Sequence, residues 1–146
     1  METKAKLTDY ETSNNITEVC YKRFNKQYSK DLLSCNDNVR REMSLKLIRY
    51  LCEKFNIPYA NVYVMEKPRK KDKSGQTYGY YNVKQMNIYI YNRTAVTEKN
   101  ISIKSFYNTL LHEFIHHYDH TKLGLSESKH TKGFYMRITD LKNKLS

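Results

Sequence analysis

Tryptophan is absent from this 146-residue chain, and cysteine is scarce. Cys20, Cys35 and Cys52 are widely spaced, odd in number and form no CxxC pair. That argues against a disulfide framework and against a cysteine zinc site. The three thiols are expected as small buried hydrophobes in a reducing compartment. No stretch approaches the ~18 consecutive apolar residues of a membrane-spanning helix. The first ten residues are polar and lack the apolar core of a secretory signal, so an intracellular location without membrane contact is expected. Acidic residues are also few: 15 Asp and Glu stand against 26 Lys and Arg, a formal net charge of +11. Such an excess favours polyanionic partners, nucleic acid first, and says nothing about fold.

At this length one domain fits better than two, and a sizeable core can form without cross-links. Residues 1–13 are polar and expected to be flexible, leaving 14–146 as a single domain. Apolar residues at three- and four-residue intervals predict a helix over 15–33 and a second one up to about residue 56, before Pro58. The β-branched and aromatic run 61–65 reads as a strand, followed by a basic loop over 68–79. Two further strands are expected over 80–83 and 86–91; in the latter Ile88 and Ile90 alternate with Tyr89 and Tyr91. A helix over 102–123 follows, closed by Gly124, and the last helix spans 132–145. The expected class is α+β, with N-terminal helices, a small three-stranded antiparallel or mixed sheet, a motif helix and a C-terminal helix.

The motif helix contains His112, Glu113, Phe114, Ile115 and His116, an HExxH sequence. Histidines four residues apart project from adjacent turns of one helix face, so both imidazoles can reach one zinc ion. Glu113 is offset beside them, where it can act as general base and not as a ligand. At 100° per residue these three fall within an arc of about 100°, while Leu110, Leu111, Phe114, Ile115 and Tyr118 average almost opposite. From this chain's own composition an HExxH would arise by chance about 1% of the time. All five histidines also lie between positions 112 and 130.

Catalytic zinc usually takes three protein ligands and keeps one position open. His120, Glu127 and His130 compete for the third place. His120 lies one turn beyond His116, which carries its imidazole along the axis and away from a shared tetrahedral point. Glu127 sits in the loop. A chain reversal after Gly124 brings His130 back over the site, and this geometry favours His130.

The run from His112 to His116, the fourteen-residue step, and then His130, Thr131, Lys132, Gly133 and Phe134 resemble the SprT-like metallopeptidases. Gly79, Tyr80 and Tyr81 ahead of the strand from Asn87 to Asn92 are similar to the glycine-then-strand run of that family. The resemblance covers roughly residues 59–134. It implies a zincin-type fold, zinc held by His112, His116 and His130, Glu113 as general base, and protein substrates that include proteins crosslinked to DNA. Thr131 stands where the family usually has glycine.

Smaller signals complete the reading. Tyr80 and Tyr135 are candidates for stabilising an oxyanion. Asp119 could accept a hydrogen bond from a ligand histidine. Lys67, Arg69, Lys70, Lys71 and Lys73, with the series Lys129, Lys132, Arg137, Lys142 and Lys144, could track phosphates of DNA, single strands preferred, with tyrosines as stacking platforms. An extended peptide could pair with the strand over 86–91 if that strand lies at the sheet edge. The expected activity is that of a monomeric zinc endopeptidase. Its rivals are a basic DNA-binding module with a structural zinc, and a small zincin dedicated to one regulatory partner.

Overall fold

Leu47, Ile48, Leu51, Cys52 and Phe55 can share one side of the chain only if it is helical. In the computed structural model, which describes residues 37–66, 78–93, 101–125, 130 and 132–145, they do so on helix α1, Asp37–Phe55. All five are buried, and Val39 and Met43 pack half-buried against the same core. Asn56 ends the helix by taking a left-handed φ of 56°, a conformation asparagine tolerates better than most residues. The N–H of Ile57 then donates to the carbonyl of Cys52. The helix expected over 15–33 lies outside the described residues.

Three strands follow: β1 (Asn61–Met65), β2 (Gly79–Asn82) and β3 (Asn87–Tyr91). Their order is β1-β3-β2, with β1 parallel and β2 antiparallel to β3, so the sheet is mixed. β3 is therefore central. This corrects the expectation that it could be the edge to which a peptide adds; among the described residues β1 and β2 flank it. Met86 does not join β3 because its φ of 55° belongs to the turn after β2. Side-chain alternation sorts the two faces. Val62, Tyr81, Ile88 and Ile90 point into the core. Tyr63, Tyr89 and Tyr80 share a register row on the other face and stack at centroid distances of 5.4 and 5.9 Å.

A polar clasp fixes the route from the sheet to the next helix. Asn92, fully buried, accepts from Arg40 and donates to Asp37 at the start of α1. Arg40 also donates to the carbonyl of Ile101 at 2.9 Å, and Arg93 pairs with Asp37. Ser102 then caps helix α2, Ile103–Thr121, its side chain accepting from the N–H of Ser105 at 3.1 Å. Phe106, Leu110, Leu111, Phe114, Ile115 and Tyr118 of α2 are buried against α1 and the sheet. After α2, Gly124 takes a φ of 67°, and the N–H of Leu125 donates back to the carbonyl of Asp119.

Helix α3, Lys132–Leu145, buries Phe134, Ile138, Leu141 and Leu145 along one stripe. It is bolted to α2 by a bidentate pair. Arg137 donates from Nε to Asp119 Oδ1 at 2.8 Å and from Nη2 to Oδ2 at 2.7 Å. Both side chains are almost wholly buried. Arg137 is thus no part of a basic outer surface, as its place in the C-terminal lysine series suggested. The hydrophobic stripe of α3 carries it inward, where Asp119 neutralises it. The architecture is α+β: three helices and a three-stranded mixed sheet among the described residues.

Candidate metal centre

His112 and His116 stand one turn apart on the side of α2 that faces α3, with ring centroids 5.1 Å apart. His130, two residues before α3, reaches the same point. Its Nε2 lies 3.1 Å from Nε2 of His112 and 3.1 Å from Nε2 of His116. One ligand atom from each of the three falls within 4.8 Å of the others. Phe134, one turn into α3, packs on all three rings at centroid distances of 4.9, 4.5 and 5.1 Å. It forms a floor that restricts their rotation. The Asp119–Arg137 pair, a turn further along both helices, holds that floor in place.

The donor set fits a zinc ion. Zn–N bonds of about 2.0–2.1 Å in a tetrahedron put neighbouring nitrogens about 3.3 Å apart, close to the 3.1 Å seen here. Burial, reinforced by His130 and Lys142, lowers the pKa of His112 to about 4. The ring is therefore neutral near pH 7, the form that binds a metal.

Glu113 lies beside the cluster, 5% exposed, with Oε1 3.8 Å from Nε2 of His112. Its neighbour on the other side is β2. Together β2 and α2 enclose a cavity of about 570 Å³ whose lining includes His112, Glu113, His116 and His130. Gly79, Tyr80, Tyr81 and Val83 form the wall on the sheet side.

The remaining expected residues divide as follows. Tyr80 lines the cavity and is 44% exposed. Tyr135 is exposed with its ring 6.0 Å from that of His130, and is not among the lining residues. His120 reaches the cavity but not the three-nitrogen cluster, as its extra turn along the axis requires. Asp119, a candidate partner for a ligand histidine, accepts from Arg137 at both carboxylate oxygens, which docks α3. Glu127, Lys129 and the loop residues Lys67, Arg69, Lys70, Lys71 and Lys73 lie outside the described residues.

Sequence reasoning passed over His117. It is fully buried, with Nε2 2.7 Å from the carbonyl of Pro58 and Nδ1 2.6 Å from the hydroxyl of Tyr81. A carbonyl only accepts, so Nε2 carries the proton and Nδ1 accepts from Tyr81. Burial lowers the pKa of His117 and raises that of Tyr81, keeping both neutral. A helical wheel held the signal, because position 117 lies within about 20° of Leu110 on the apolar side. Comparison of the chain with protein-family models, with curated proteins and with solved structures gives no match.

Proposed function

We propose that the chain is a zincin-type, zinc-dependent endopeptidase that hydrolyses peptide bonds in protein substrates. The observation that carries this reading is the convergence of three imidazole nitrogens beside a buried glutamate on the wall of a cavity. The SprT-like resemblance of the same residues supports it. His112, His116 and His130 would hold the ion. Bound zinc supplies Lewis acidity, bringing the pKa of a water towards ~7 and polarising a carbonyl. Glu113 would accept the proton of the attacking water at its carboxylate and return it to the leaving nitrogen. Its burial keeps bulk water from competing for that proton.

An extended substrate lying in the cavity beside β2 would run past Glu113. The +11 charge favours substrates associated with nucleic acid, with Arg137 now removed from the contact set. Metal analysis by mass spectrometry with a peptidase assay tests the reading. One zinc per chain and turnover are expected in wild type. His130→Ala should lose most of the metal, and Glu113→Gln should keep it without turnover. A wild type that holds zinc but cleaves no protein, with or without DNA, favours a structural metal in a nucleic-acid-binding module. Cleavage confined to a single protein points to the dedicated regulator.

A further inference from the structure

Gly79, the first residue of β2, has no positive φ, so its backbone conformation does not call for glycine. Space does. A Cβ at this position would lie 2.6 Å from Cγ2 of Thr109, 3.0 Å from Cγ of Glu113 and 3.3 Å from its Cδ. Real Cβ atoms essentially never approach a neighbour as closely as the first of these. Thr109 is one turn before Glu113 on α2 and is not free to turn away. Its hydroxyl donates to the carbonyl of Ser105 at 2.8 Å, which fixes the rotamer that aims Cγ2 at the strand. Gly79 is itself fixed, opposite Ile90 in the β2–β3 ladder.

From this packing we infer that Gly79 is a positioning residue for Glu113. The bare backbone of β2 is the wall against which the stem of the glutamate rests. The register of the sheet thereby sets where the carboxylate stands relative to His112. The inference rests on the proposed role of Glu113 as general base. A larger residue at 79 pushes the stem aside while leaving the histidine cluster intact, because the obstructing atoms belong to Thr109 and Glu113 and none to the three imidazoles.

The experiment separates strand–helix spacing from glutamate placement. Thr109→Ser removes Cγ2, so in the pair Gly79→Ala, Thr109→Ser only the contact with Glu113 remains. Relative to Thr109→Ser alone, the pair should keep one zinc per chain and the same visible spectrum when loaded with cobalt. Its kcat should fall at least about tenfold with KM within about twofold, and its crystal structure should show the Glu113 stem displaced by a few tenths of an ångström. A purely structural role for Gly79 predicts that removing Cγ2 restores everything. Glu113 in its original place, or an unchanged kcat, overturns the inference. If wild type turns over no faster than Glu113→Gln, the peptidase reading falls, and the position of Glu113 alone decides the role of Gly79. Should the pair fold poorly, the same two changes are made in a Glu113→Ala background. Recovered stability there supports pressure on the glutamate stem, and unrecovered stability overturns it.

Discussion

His116 and His117 are adjacent in sequence and opposite in circumstance. His116 belongs to an open cluster in which three ring nitrogens face one another at 3.1 Å along two of the three sides. His117 is closed, with one nitrogen giving its proton to Pro58 and the other accepting from Tyr81. The difference lies in the partners, since both histidines sit on the same helix turn. A histidine whose nitrogens are both taken by protein is a structural bolt joining α2 to β2 and to the approach to β1. Three histidine nitrogens that face one another at these distances form a donor set a cation can bridge. The two acids of α2 also differ in setting: Asp119 pairs with Arg137, and Glu113 lines a cavity.

The largest effects should break the open site and spare the closed one. Glu113→Gln should lower turnover by about 10²–10⁴-fold with zinc content unchanged, read by single-turnover kinetics and metal analysis together. Full activity in that variant removes the general base from the mechanism. His116→Ala should strip the metal, whereas His117→Ala should keep it. If the two alanine variants lose zinc equally, the distinction between open and closed sites collapses.

Asp119→Ala comes next. It strands a buried guanidinium, and breaking a buried pair from one side costs about 3–5 kcal/mol. Because the same pair docks α3 and so places His130 and Phe134, zinc affinity should fall as well, by about 10–100-fold as for residues that orient ligands. Urea unfolding and zinc titration read the two effects separately. An unfolding cost without an affinity change would mean that His130 finds its place without the bolt.

Most of the helical frame and the three-histidine cluster were legible in the sequence, and the reasons differ by element. The α1, α2 and α3 stripes follow from periodicity, and strand β1 from a short β-branched run between breakers. The HExxH spacing places two histidines on one face of one helix. Bringing the third beside them required a chain reversal, which Gly124 announces. What remained hidden depends on neighbours distant in sequence. No pattern in β3 reveals that it is central, because strand order is decided by where the crossover from β1 lands. Arg137 looks like one more surface lysine equivalent until Asp119 appears opposite it. Gly79 looks like a turn glycine until Thr109 and Glu113 are seen to occupy the space of its missing side chain.

Smaller effects sharpen the closed half of the comparison. His117→Ala leaves the buried hydroxyl of Tyr81 without its partner, at about 1–3 kcal/mol before relaxation, and removes the bond to the Pro58 carbonyl and the packing of a fully buried ring. A net loss of about 3 kcal/mol in urea unfolding is expected. Tyr81→Phe keeps the ring and removes a single donor, so about 1 kcal/mol is expected, the usual size of one hydrogen bond. If Tyr81→Phe costs as much as His117→Ala, the bolt is not made of the two bonds assigned to it.

The smallest effect is on the pH dependence of stability, and its sign follows from burial. Burial lowers the folded-state pKa of His117 below its ordinary value of 6.5, against a weaker opposing pull from the Pro58 carbonyl. Between that lowered pKa and 6.5 the unfolded chain binds a proton that the folded chain refuses. Stability contributed by the neutral ring is therefore complete above pH 6.5 and is lost as pH falls towards the folded-state pKa. His117→Gln removes the titrating group while keeping an amide that can bridge part of the gap. Metal-free wild type should lose stability more steeply than His117→Gln below pH 6.5, by up to about 1.4 kcal/mol per pH unit for one proton. His112, held down to about 4, titrates in both proteins and cancels in the difference. Urea unfolding at pH 7.5, 6.5 and 5.5 in chelator measures the two slopes. Parallel slopes would show that His117 accepts its proton in the folded state. The closed site would then be as accessible to protons as the open one.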